Sequence, residues 1–172
     1  MTTTISRLNA VDIAAVGELV SAIQEEPTKA KTVWKSTVDW KGGFQSEARS
    51  RDFAPVPSDE PPALGGEDTA ANPVEQLLGA FGNCLAVGYA ANATEAGIEL
   101  TGLSIELEGD LDLHTFLGLS DGNAGFETVT ATVNIESNAS DEQLASLHDK
   151  VVSTSPVGHT LQRSVPVTVQ LA

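Results

Sequence analysis

Cys84 is the only cysteine in a chain of 172 residues, and a lone thiol has three uses: it reacts as a thiolate, ligates a metal, or fills core space as a small apolar side chain. An internal disulfide is closed to it. His114, His148 and His159 are scattered and share no ligand spacing with Cys84, so the sequence calls for no metal site and no cofactor. Glu75 stands nine residues before Cys84 and three after Asn72, which makes it a capping-box acid as well as a candidate for chemistry.

The element that must position the thiol is the apolar stretch 72–97. Asn72 supplies an N-cap, Pro73 fits the first helical position, and Glu75 can reach back to the cap. Leu77, Phe81, Cys84, Leu85 and Gly88 then share one face of a 3.6-residue period, and Gly97 closes the helix. At about 1.5 Å per residue such a helix is roughly 35 Å long, enough to cross a small domain. Its other face carries Gly79, Gly82, Ala86, Ala90 and Ala93, so it can be packed on more than one side. Cys84 lies near its middle, beyond the reach of the amino-terminal dipole, so a reactive thiolate there needs another stabilising group.

Around this helix the patterns read as follows. Asn9 and Asp12 open a helix through Ile13, Val16, Leu19, Val20 and Ile23 that Pro27 ends. Residues 29–41 alternate as a strand, Gly42 and Gly43 turn, and residues 44–56 return as its partner. Residues 57–71, rich in proline, glycine and acids, read as a long solvated loop that could act as a lid. Leu103, Ile105 and Leu107 alternate on a strand, residues 117–125 turn, and Val129, Ala131, Val133 and Ile135 alternate on its partner. Ser140 and Gln143 form a capping box for a helix through Leu144, Leu147, Val151 and Val152, interrupted at Ser155 and Pro156. Residues 164–172 read as a closing strand. The order predicts an α+β fold with sheet on one side and helices on the other.

Composition narrows the partners. Net charge is −15, from 24 acidic and 9 basic residues, so phosphate backbones and anionic lipid would repel the chain, and neither nucleic acid nor membrane is expected. No run approaches ~18 apolar residues, and the amino terminus lacks an export signal's basic region and apolar core, so the expected address is the cytoplasm. The acids are spread along the chain, which suggests a solvated acidic shell.

Asn72-Pro73, Glu75, Leu77-Leu78, Gly82 and Cys84-Leu85, followed by Ser155-Pro156-Val157 and Thr160-Leu161, resemble the OsmC/Ohr family of hydroperoxide-resistance proteins. The element order matches over residues 30–172. A single OsmC-like domain is therefore expected over residues 29–172, with residues 1–28 as an added amino-terminal helical extension. The resemblance implies an intertwined homodimer, with antiparallel sheets wrapped around two central helices and each active site at the subunit interface. It also implies reduction of organic hydroperoxides by a reactive cysteine, which Cys84 matches.

Three positions depart from the family pattern. Ser155 stands where the family has a second, resolving cysteine; Val74 stands at the usual glutamate position, with Glu75 beside it; and Phe44 follows the Gly-Gly turn where an arginine is usual. The nearest substitutes for that arginine are Arg49 and Arg51. His159 and Arg163, after Ser155, are the other candidate cations, and because the family faces the Ser155 position toward the reactive cysteine, His159 could pair with Cys84. Without a second cysteine, an external thiol would have to recycle the enzyme. The other reading is a non-catalytic binding protein that takes a small molecule in an apolar pocket at the dimer interface.

Overall fold

Local caps set the main helix boundaries in the computed structural model, which describes residues 7–171. Residues 1–6 of the expected extension and Ala172 of the expected closing strand lie outside the described residues. The chain forms two units, one of residues 14–77 and the other of residues 7–13 with 78–171.

In the first unit, α1 (Ile13–Glu25) leads through a 3-10 turn at Pro27–Ala30 to β1 (Thr37–Gly42), β2 (Gln45–Arg49) and β3 (Val56–Ser58). These form one antiparallel sheet in the order β1-β2-β3, with Val38 opposite Ala48 and Ser46 opposite Ser58. Gly42 (φ 120°) and Gly43 (φ 54°) make the β1–β2 turn, a conformation that side chains with a Cβ rarely adopt. The first strand begins at Thr37, later than its alternation predicts. Thr37 pairs with Arg49, the last residue of β2, and Arg51 then turns the chain away at φ 53°, so residues 31–36 have no ladder partner.

The 57–71 segment is also more ordered than expected. It contributes β3 and a 3-10 turn at Pro62–Leu64, and it closes on a buried carboxylate, Asp59. Asp59 accepts hydrogen bonds from the N–H groups of Glu60 (2.8 Å), Glu67 (3.3 Å) and Thr69 (3.2 Å) and from the Thr69 hydroxyl (2.8 Å). Burial alone would raise its pKa; the Thr69 hydroxyl and the three N–H groups outweigh that, and the pKa lies below the ordinary carboxylate value. The reading of this stretch as merely solvated is therefore corrected: one carboxylate gathers its donors from across ten residues.

α2 (Pro73–Glu95) spans the unit boundary, and β4 (Leu100–Leu111), α3 (Leu113–Phe116), β5 (Phe126–Ser137), α4 (Asp141–Thr154) and α5 (Pro156–Gln162) follow. β4 and β5 pair antiparallel over their length, with Leu103 opposite Ile135 and Ile105 opposite Val133. Their half-buried apolar residues pack on a core of Leu85, Tyr89 and Ala93 from α2, Ile98, and Leu147 and Val151 from α4. Burying each of the leucines and the valine contributes roughly 1.5–3 kcal/mol. Asn9 joins the α2–β4 turn, donating to the Thr94 hydroxyl and the Ile98 carbonyl and accepting from the Leu100 N–H.

The expected strand at the carboxyl end is not formed within the chain. Residues 164–171 carry no regular structure, and the alternating Val165, Val167, Val169 and Leu171 are all exposed; alternation alone gives no ladder without a neighbouring edge. Among the described residues no helix is long and apolar enough to cross a membrane, and no group of His, Cys, Asp and Glu could hold a metal ion.

Candidate functional site

Two local events bring a thiol and a hydroxyl together. The first is α2 itself, whose capping box is complete: the Asn72 side chain accepts the Glu75 N–H (2.9 Å), and the Glu75 carboxylate accepts the Asn72 N–H (2.8 Å). The second is the break between α4 and α5. Ser155 (φ −69°, ψ 114°) leaves the helical region, and Pro156 starts α5. The Ser155 hydroxyl oxygen accepts the Gly158 N–H (3.1 Å), and its carbonyl accepts the His159 N–H (2.9 Å).

Ser155 is only 5% exposed, and its Oγ lies 3.3 Å from Cys84 Sγ. The approach depends on small residues. A Cβ on Gly88 would stand 2.9 Å from Val151 Cγ1, and one on Gly158 would stand 3.2 Å from the Phe81 ring. Glycine at these two positions lets α2 sit close against the α4–α5 junction.

Beside the pair is a cavity of about 400 Å³ whose wall includes Ala80, Val87, Val151 and Pro156, with Cys84, Ser155, Asn83 and Thr154 as its polar points. Among the described residues, no charged side chain lines it. A thiol opening into an apolar cavity, with a neutral hydroxyl in contact, can attack an electrophilic atom of a small apolar molecule once it is ionised.

Of the residues singled out from sequence, Cys84 and Ser155 are brought together across 71 positions. Glu75 is occupied in its capping box. Arg49 is held within its own unit by Glu47 (2.7 Å) and Asp39 (3.5 Å), and Arg51 lies over the Phe53 ring at 4.5 Å. His159 and Arg163 are exposed, and neither lines the cavity. Asn83, Thr154 and Val151 are cavity residues that sequence reasoning did not single out, although Asn83 and Thr154 directly precede the two candidates. It also missed the fully buried Tyr89, whose hydroxyl is hydrogen-bonded to His148 Nδ1 and whose pKa burial pushes up.

The fold has solved counterparts. An OsmC-like protein from Mycoplasma pneumoniae superposes with a TM-score of 0.67 at 20% identity, covering 77% of this chain and 89% of its own. An organic hydroperoxide resistance protein OsmC from Legionella pneumophila gives 0.59 at 19%, covering 77% and 92%. An organic hydroperoxide resistance protein from Elizabethkingia anophelis, with crystallant-derived thiocyanate bound, gives 0.59 at 19%, covering 77% and 91%. At these identities the likeness carries the α+β fold alone. A comparison with curated protein sequences finds no match. The family model described as OsmC-like protein matches residues 66–170. That span is more than half of the chain and runs from before the central helix to beyond the α4–α5 junction, so this chain belongs to the OsmC-like protein family.

Proposed function

We propose that this protein is a cytoplasmic homodimer that reduces organic hydroperoxides through Cys84 and is recycled by an external thiol. The observation that carries the reading is the 3.3 Å approach of Cys84 to the buried Ser155 at the wall of an apolar cavity. Membership of a family in which some structural neighbours are described as organic hydroperoxide resistance proteins supports it.

The cycle balances with one hydroperoxide and two thiols. The Cys84 thiolate attacks the terminal oxygen, the O–O bond breaks, and the sulfur becomes a sulfenic acid while an alkoxide leaves and takes a proton from water. A first external thiol displaces water from the sulfenic acid to give a mixed disulfide. A second releases the external disulfide and restores the Cys84 thiol. Ser155 cannot form an internal disulfide, so both reducing equivalents come from outside. The cations and the acid expected from the resemblance, Arg49, His159 and Glu75, do not line the cavity in the single chain, so they take no step in this cycle.

The homodimer is supported by what one chain leaves uncovered. Trp34 is 81% exposed and Val169 is 92% exposed on segments without ladder partners, and a second copy would cover such apolar surface.

The test is turnover. The protein with an organic hydroperoxide and a dithiol should consume both, and Cys84→Ala should abolish it. Intact-mass spectra showing Cys84 unmodified in folded protein under excess hydroperoxide would defeat the reading. The uncharged, apolar cavity would then favour the second reading, a non-catalytic protein that binds a small apolar molecule there.

A further inference from the structure

The cavity beside Cys84 offers the half-buried sulfur apolar walls and no charged lining residue, so a neutral hydrogen-bond donor is the stabilising group the site can supply. Ser155 is the residue placed to supply one. Its oxygen is already engaged as an acceptor by the Gly158 N–H at 3.1 Å, and its buried side chain is in contact with Cys84 Sγ at 3.3 Å. While Cys84 is protonated, either the hydroxyl or the thiol can donate across that contact. Once Cys84 ionises, the sulfur has only lone pairs and the Ser155 hydroxyl is the sole donor of the two.

We propose that Ser155 is a positioning residue that donates a fixed hydrogen bond to the Cys84 thiolate. The role rests on Cys84 being the reactive group, and it replaces at this position a sulfur that could resolve the oxidised enzyme with a hydroxyl that stabilises the anion. No atom moves from Ser155: its proton stays on oxygen and is directed to sulfur, since the Gly158 N–H is itself a donor and cannot receive it. After oxygen transfer the same hydroxyl remains against the oxidised sulfur. Gly158 becomes part of the device, since its N–H orients the donor.

The experiment uses the full chain and iodoacetamide as probe, measuring the rate of Cys84 alkylation against pH. Ser155→Val removes the hydroxyl, and Ser155→Thr keeps it with nearly the same added bulk, so packing disturbance is shared and the donor is not. A hydrogen bond to a charged group corresponds to about one to two pH units in the midpoint of thiol ionisation. Ser155→Val should therefore raise the midpoint by that amount, and Ser155→Thr should return it toward the wild-type value. Equal midpoints in the folded Val and Thr variants overturn the proposal.

A second measurement needs no variant. In wild-type protein the Gly158 amide resonance should move with the Cys84 midpoint, because ionisation of sulfur polarises the Ser155 hydroxyl and strengthens its acceptance from that N–H. A Gly158 resonance that stays fixed across the thiol midpoint also overturns it. These readouts are separate from turnover: a protein whose midpoint rises in Ser155→Val but that leaves hydroperoxide untouched loses the peroxidase reading and keeps the donor.

Discussion

Replacing Ser155 with cysteine puts the 3.3 Å thiol–hydroxyl approach to a quantitative test. In Ser155→Cys the two sulfurs would need to close to about 2.0 Å by side-chain rotation, from termini that already touch. The bond would tie residues 71 positions apart. Loop-closure entropy for a ring of that size limits the stabilisation to about 4.4 kcal/mol. For a chain of this length each kcal/mol moves the midpoint by roughly 2–4 °C, so the upper limit is about 9–18 °C. The loss of the Ser155 cap on the Gly158 N–H subtracts about 1 kcal/mol from that. The assay is calorimetry of the mildly oxidised variant with and without reductant, beside thiol titration and intact mass. Two titratable thiols persisting in folded, oxidant-treated Ser155→Cys would refute the placement of Ser155 against Cys84. A disulfide that forms but lowers the melting temperature would show strain at the junction instead.

Other outcomes follow from the same geometry. Gly88→Ala sets a helix-propensity gain of about 1 kcal/mol against an overpacking cost of about 1–3 kcal/mol where the new methyl meets Val151 at 2.9 Å. Overpacking wins, so denaturant titration should show lower stability, and a rise would contradict the tight α2–α4 contact. Asp59 has a depressed folded pKa, so its stabilising effect is present above the unfolded carboxylate value and is lost as pH falls through the folded one. Asp59→Asn should cost most stability near neutral pH, and the gap to wild type should shrink in acid; a gap independent of pH counts against the carboxylate hub. Leu85→Ala, in the buried core of α2, should cost about 2–5 kcal/mol in denaturant unfolding. Stoichiometric hydroperoxide should leave a sulfenic acid that a dimedone-type probe traps, and excess without thiol should drive Cys84 to the sulfinic state in mass spectra.

Elements whose causes are local were legible in the sequence. Asn72 with Glu75, and Ser140 with Gln143, satisfy helix ends within four residues, and both capping boxes are formed. The β4–β5 hairpin was legible because each strand alternates and each is the other's partner, so the pattern contains its own solution. The same alternation misled at residues 31–36 and 164–171, because a strand exists only where an edge is free to pair with it, and a pattern of side chains does not say where edges lie. Asp59 was unreadable for a related reason: its donors, at Glu60, Glu67 and Thr69, converge only when the loop closes on itself. The sequence by itself determined that a lone thiol sits in the middle of a long, closely packable helix. The resemblance implied that the Ser155 position faces Cys84; tertiary structure decided that the hydroxyl there is buried and 3.3 Å from the sulfur, because Gly88 and Gly158 let two segments 71 positions apart approach closely.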